Sequence, residues 1–250
     1  MKYVLKIAYD GTSFCGWQEQ PNGYSVQQAL SDAAEAAFGQ RAVFTASGRT
    51  DSGVHAEGQI CHVNLDISVP PEKLADALNC RLPSDVSVLN SAQAPEGFDA
   101  NRSAKKKTYI YRMYIAARRN PLKDRYSVHI KGAIDIDKMR AAAALFVGEH
   151  DFRAYCASRS QVKTTVRTIY SFDVIQDGGD ISLAVCGNGF LYNMVRTMAG
   201  TVLGYAQNAI TLERIRLSLQ TGDRSLAGKT MPPQGLFLRD VDYGFELFAK

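Results

Sequence analysis

The sequence has little of what staples or anchors a chain. Its five cysteines, at 15, 61, 80, 156 and 186, are odd in number, widely spaced and without a CxxC, so they encode neither a disulfide framework nor a zinc knuckle. No window approaches the length of about 18 consecutive apolar residues that a membrane helix needs; the longest run is AAAALFV at 141–147. The opening MKYVLKIAYD is interrupted by Lys6 and Asp10 and lacks the unbroken apolar stretch of a secretory signal. There is no Walker loop, GxSxG elbow, HExxH or RNP1 signature. What is present is ordinary globular usage, 250 residues with 46% hydrophobic and 22% charged, which excludes disorder, collagen and coiled coil. The expectation is a soluble chain in a reducing cytoplasm.

Charge is unevenly spread. The whole chain carries 29 basic and 25 acidic residues. Between Arg102 and Lys131, however, ten Lys or Arg (102, 105, 106, 107, 112, 118, 119, 123, 125, 131) stand with one acid, Asp124, so 30 residues carry +9 and the other 220 carry −5. That is a local footprint for a polyanion. Tyr109, Tyr111, Tyr114 and Tyr126 are interleaved with it, as expected where bases stack while phosphates are neutralised. A solvated strand edge protected by lysines is the competing explanation. Arg102, Lys105, Lys106, Lys107 and Arg112 are the candidate nucleic-acid-binding residues.

Periodicity predicts two α+β halves, residues 1–103 and 104–250. Residues 2–9 alternate, with Tyr3, Leu5, Ile7 and Tyr9 on one strand face, and Asp10-Gly11 turns the chain. Ser25 and Gln28 form a capping-box signature for a helix over 25–38 that ends at Gly39. Strands follow at about 42–47 and 58–65, then a helix opened by Pro70-Pro71 with Leu74 and Leu78 one turn apart, then a strand at about 85–92. The first half therefore reads βαββαβ. In the second, a strand begins at Lys107, a helix covers about 136–147, and strands 166–176 and 181–187 flank the hairpin signal Asp177-Gly178-Gly179-Asp180. A long apolar helix is expected from Phe190 to about Gln207, a shorter one after a Thr211 cap, and a last strand near 236–247. The groove between two such sheets is a natural cleft.

Two places carry chemistry. The loop GRTDSGVHA, Gly48–Ala56, lies between two predicted strands, and Asp51 is its sole carboxylate. Arg49, two residues earlier, favours its charged form by proximity. A simple Asx-turn role for Asp51 is the alternative. Arg196 stands in NMVRTMAG on an otherwise apolar helix, where a desolvated guanidinium needs an anion unless it reaches solvent along its aliphatic stem. His55 and His62 with Cys61 have poor metal-site geometry, so no metal is expected. Paired carboxylates at short spacing are missing from the loop, which argues against glycoside hydrolysis.

These segments resemble the TruA family of tRNA pseudouridine synthases nearly end to end. The likeness is carried by YDGTSFCGWQEQ (Tyr9 to Gln20), GRTDSGVHA with GQICHV, FDANRSAKKKTYIYR (Phe98 to Arg112), GEHDF (148–152), NGFLYNMVRTMAG (Asn188 to Gly200) and GLFLRDVDY (Gly235 to Tyr243). Glu19 departs from the pattern, since many relatives carry a basic residue after GWQ. The resemblance implies an α+β fold of two ferredoxin-like halves joined into one extended, mainly antiparallel sheet with helices on one face and the active site in the central cleft. It implies an isomerase that converts uridine to pseudouridine at positions 38, 39 and 40 of the tRNA anticodon stem-loop, a homodimer, and no cofactor. It makes Asp51 the catalytic aspartate, Arg49 and Arg196 its support with Arg196 paired to Asp51, and Tyr109 and Leu236 the residues that meet the target base.

Two other functions stay open on the residues alone. A noncatalytic RNA-binding module explains the basic stretch and the tyrosines but leaves Asp51 and Arg196 idle. A nucleosidase breaks the same first bond but releases free uracil.

Overall fold

The computed structural model describes residues 1–157 and 163–248. Its contacts divide into two units, one of Met1–Lys106 together with the chain from Phe237 on, the other of Lys107–Leu236. Each is α+β, with mostly antiparallel strands and helices.

In the first unit, β1 (Lys2–Tyr9) runs antiparallel to both β3 (His55–Asn64) and β4 (Val86–Gln93), with the two-residue β2 (Thr45–Ala46) on the far edge of β3. The alternating face of β1 does what its pattern predicts: Tyr3, Leu5 and Ile7 are fully buried and Tyr9 nearly so. Helix α1 (Val26–Phe38) starts where Ser25 Oγ accepts from the Gln28 N–H at 3.1 Å, and buries Val26, Ala29, Leu30 and Ala33. Helix α2 (Leu74–Asn79) follows a 3-10 turn at Pro71–Lys73 and packs on β4, with Leu74 and Leu78 buried. Burying such a side chain contributes roughly 1.5–3 kcal/mol. The order is the expected βαββαβ.

The second unit contains β5 (Lys106–Ile115, from Lys107 on), β6 (Val128–Ile130), α3 (Ile136–Ala144), β7 (Gly148–Asp151), β8 (Val166–Asp177), β9 (Asp180–Gly187), α4 (Met194–Ala206) and α5 (Leu212–Thr221). Its strands are ordered β5-β9-β8-β7, all antiparallel, with β6 parallel on β5. The Asp177–Asp180 hairpin forms as its residues predict, and Thr211 caps α5 by accepting from Arg214 N–H. Helix α3 packs on β8 and α4. Phe146, Phe152, Tyr155, Met139, Met198 and Val202 fill this core.

Three expectations change. The long helix begins at Met194 and not at Phe190, because Asn193 sits left-handed at φ 63° and breaks the helical run before it. The strands β6 and β7, of three and four residues, are too short to leave a periodic signal. The last strand, β10 (Leu236–Asp242), was expected with the second half; from Phe237 on it belongs to the first unit, where Phe237 and Leu238 pair parallel with His55 and Ala56 of β3. A parallel partner gives no local signal, since no turn joins the two strands.

Candidate active site

In the first unit the loop between β2 and β3 carries Asp51, and the chain around it is held from several sides. The hydroxyls of Tyr9 on β1 and Thr50 share a buried hydrogen bond of 2.7 Å. Burial pushes the Tyr9 phenol up to about 12, against the pull of its Thr50 and Gln59 hydrogen bonds, so it remains a neutral phenol at ordinary pH. Trp17 N–H donates to Thr50 O at 3.1 Å, and Val54 N–H to Asp51 O at 3.1 Å. Gly16, at φ +102°, lies so close that a Cβ there would stand 2.5 Å from Thr50 O. At the loop's entrance Ser47 Oγ donates to Gln59 Oε1 and Gln59 Nε2 to Gly48 O, at 2.6 and 2.8 Å. Asp51 itself is half-buried, Thr50 buried, Ser52 and Arg49 exposed. A braced loop with a half-buried carboxylate can present that group to a ligand at little further ordering cost.

The histidines weighed as metal ligands have other work. His55 Nδ1 accepts from Gly11 N–H at 3.0 Å and lies 3.1 Å from Asp10 Oδ1, while its ring stacks on Phe237. His62 Nδ1 accepts from Ala100 N–H at 3.1 Å, and burial lowers its pKa. Cys61 is buried, which pushes its thiol well up. Arg102, Lys105 and Lys106 are exposed on this unit.

In the second unit β5 places the tyrosines. Lys107, Tyr109, Tyr111 and Met113 alternate onto one face, and Thr108, Ile110, Arg112 and Tyr114 onto the other. Tyr109 is 8% exposed and meets Phe190 edge-to-face, centroids 5.1 Å apart at 79°. Tyr111 is fully buried and donates to Pro232 O at 2.8 Å; burial raises its phenol well above the usual range, and the nearby Arg196 charge opposes that shift. Arg112 and Lys107 are half-buried.

Arg196 is half-buried in the first turn of α4, with Nε donating to Met231 O and Nη1 to Asn193 Oδ1, both at 2.7 Å. The Met231 N–H returns a bond to Arg196 O at 3.2 Å. The 228–231 segment is fastened along α4 by Gly228 N–H to Thr201 Oγ1 at 2.8 Å and by Thr197 to Thr230 at 3.0 Å. The left-handed Asn193 that shortens the helix therefore also orients the arginine. Leu236, 6% exposed, follows the 3-10 turn Pro233–Gly235.

Within single units the structure thus brings Arg49 and Asp51 onto one loop, and Lys107 and Tyr109 onto one strand face. Four residues were not singled out from sequence: Phe190 beside Tyr109, Thr50 and Tyr9, whose hydroxyls meet next to Asp51 in the chain, and Arg167, whose charge acts on Lys107. Phe190 stands in the NGFLYNMVR segment, where its aromatic type at the mouth of a helix was a usable signal.

A family model described as tRNA pseudouridine synthase matches residues 6–101 and 142–244. The tRNA pseudouridine synthase A of Citrifermentans bemidjiense is 45% identical over 240 residues, covering 96% of each chain. That of Geobacter sp. strain M21 is 44% identical over 240 residues, covering 96% of this chain and 97% of its own. Among solved structures, a chain of a Cbf5-Nop10-Gar1 complex is similar at a TM-score of 0.39 and 14% identity, over 81% of this chain and 45% of that one.

Proposed function

The chain belongs to the tRNA pseudouridine synthase family, and from that membership we propose that it isomerises uridine to pseudouridine in tRNA, at positions 38, 39 and 40 of the anticodon stem-loop, with Asp51 as the catalytic carboxylate. The observation that carries the reading is the near end-to-end likeness to proteins named for this reaction, within which the braced GRTDSGVHA loop holds a single carboxylate.

The reaction breaks the N1–C1′ bond, turns the uracil and joins C5 to C1′. A proton leaves C5 and one is taken up at N1, so atoms and electrons balance without an oxidant or reductant. An aspartate serves this chemistry by adding covalently to the nucleotide or by removing the 2′ proton to leave a glycal-like intermediate. Either route requires the nucleotide to leave its stack and the detached ring to be held while it turns. Tyr109 supplies a π-face for that ring, and such stacking contributes roughly 1–3 kcal/mol per base. Leu236 provides an apolar contact to the base, and Arg49 and Arg196 support the charge of the step. Arg102, Lys105, Lys106, Lys107 and Arg112 bind the RNA backbone, where shape and phosphates are read more than base edges. The active species is a homodimer acting in the cytoplasm.

The deciding experiment incubates the protein with unmodified tRNA carrying tritium at C5 of uridine, then digests the RNA and separates its nucleosides. Tritium release with pseudouridine at positions 38–40 is expected. Free uracil would replace the reading with hydrolysis, and bound but unaltered tRNA would replace it with a noncatalytic binding module.

A further inference from the structure

The chain from Ala117 to Tyr126 leaves the end of β5 as a loop that is exposed throughout except at Asp124. It is braced from inside. Tyr114, 2% exposed and stacked on the His129 ring at 5.1 Å, accepts from Asn120 N–H at 2.8 Å and donates to Asp124 Oδ1 at 2.6 Å. Arg119 Nε binds the other oxygen of that carboxylate. Asn120 then folds the tip: its Oδ1 accepts from Leu122 N–H at 3.0 Å, and its carbonyl from the N–H groups of Lys123 and Asp124 at 3.0 and 3.2 Å. Lys123 Nζ lies 5.6 Å from the Tyr114 ring centroid and ties the loop to β9 through both oxygens of Asp180, at 2.6 and 2.8 Å.

This framework holds Leu122 out into solvent. At 88% exposure it is the most exposed large apolar side chain among the described residues. Single exposed apolar residues are ordinary on a protein surface, and two further features set this one apart. It follows Pro121 at the apex of an ordered turn, so docking there costs little further ordering. Its surroundings are cationic, with Arg118 and Arg119 on one limb, Lys123 and Arg125 on the other, and Asp124 the sole acid of the loop. Ile175 makes the contrast: it is 55% exposed toward the same end of the sheet, but stands between Asp173 and Asp177 on its own face of β8.

A second copy of this chain would set these cations against one another, whereas a polyanion complements them. The apex lies beyond Ile115, six residues and about 20 Å along β5 from Tyr109, so it meets a different part of the ligand. An A-form RNA helix offers a wide, shallow minor groove of sugars and base edges between two rows of phosphate. A blunt apolar tip between two cationic limbs has the complementary profile.

We propose that the 117–126 loop docks in the minor groove of a paired RNA stem, with Leu122 packed on sugars and base edges and with Arg118 and Arg125 on the phosphate rows either side. The proposal rests on the RNA reading above and deepens it, adding a contact that recognises helical shape at a distance from Tyr109. No member of the loop touches a reacting atom.

The test uses the full chain and an unmodified tRNA transcript, with binding as its readout. Leu122→Gln should weaken affinity about fivefold at every salt concentration, and Leu122→Met should retain most of it, because the contact is apolar. Arg118→Gln should instead flatten the slope of log affinity against log salt by about 0.9, the value for one duplex phosphate. Ile175→Gln should bind as wild type does. Leu122→p-benzoylphenylalanine, irradiated in the complex, should crosslink to nucleotides of a paired stem. Wild-type affinity in Leu122→Gln would overturn the proposal, as would a crosslink to single-stranded nucleotides alone, to a second copy of the protein, or to nothing. Thermal unfolding separates a lost contact from misfolding; Leu122 lies outside the core, so its variants should keep the wild-type midpoint. Because the readout is binding, a wild type that binds tRNA but releases no tritium would sink the isomerase reading and leave the docking loop to be decided by its own result.

Discussion

Tyr9 and Thr50 share a hydrogen bond of 2.7 Å in the interior of the first unit, so the first strand of the chain holds the residue that immediately precedes Asp51. Trp17 N–H binds the carbonyl of the same threonine, and Gly16 lies against it. The conformation of the proposed catalytic loop is thereby determined by residues more than thirty positions away in sequence.

Replacing Tyr9 with Phe removes the phenol and leaves a buried Thr50 hydroxyl without that partner. The expected cost is about 1–3 kcal/mol of stability, measured by urea unfolding, because an unsatisfied buried group costs more than its bond contributed. Tritium release should slow with kcat falling more than KM rises. A variant with wild-type stability and wild-type kcat would show that the bond does not brace the loop.

Gly16→Ala places a Cβ at φ +102° and 2.5 Å from Thr50 O. Strain of this kind costs on the order of 1–3 kcal/mol, and relief requires the loop to move. Both a lower unfolding midpoint and a loss of turnover of at least tenfold are expected; full turnover at reduced stability would mean that the loop relaxes without displacing Asp51.

Asp51→Ala should abolish tritium release from C5-labelled tRNA while leaving tRNA affinity within about threefold, since a chemical carboxylate contributes little to binding the polyanion. Filter binding and release assays on one preparation read both. Full release by the variant would remove Asp51 from the chemistry.

Lys105 and Lys106 are exposed, in the segment of highest positive charge. Changing both to Gln should flatten the plot of log affinity against log salt by about 1.4–1.8, the counterion release of two phosphate contacts. An unchanged slope would return these two residues to the role of a solvated edge.

Lys107 has a lysine pKa lowered from 10.5 to about 8, by burial first and by Arg167 second. Between about pH 8 and 10.5 the unfolded chain holds a proton that the folded chain has lost, so the Lys107 contribution to stability rises with pH across that window; below about 8 the penalty of the buried charge is fully present. Subtracting the pH profile of Lys107→Met from that of wild type, each from urea unfolding, should isolate this rise. A flat difference would contradict it. A bound phosphate favours the charged lysine, so RNA binding at pH 8.5 should also take up a proton, readable by calorimetry in buffers of different ionisation enthalpy.

Several elements were legible because their signals are local. The β1 alternation, the Ser25 and Thr211 caps and the Asp177–Asp180 hairpin each need only neighbouring residues, and each forms as expected. The start of α4 was misplaced by four residues because nothing local announces that Asn193 turns left-handed. Strand β10 was assigned to the wrong half because its partner, β3, is about 180 positions earlier and parallel to it.

The same division holds for the site. Residue types and spacing alone determined that Asp51 is the single carboxylate of its loop, that Arg196 stands on an apolar helix, and that a basic, tyrosine-bearing strand begins near Lys107. Only the tertiary structure decided that Tyr9, Gly16 and Trp17 converge on Thr50, and that Phe190 meets Tyr109 edge-to-face. The physical reason is that sequence encodes periodicity within an element, whereas proximity between elements follows from strand pairing and packing, which join residues that share no local pattern.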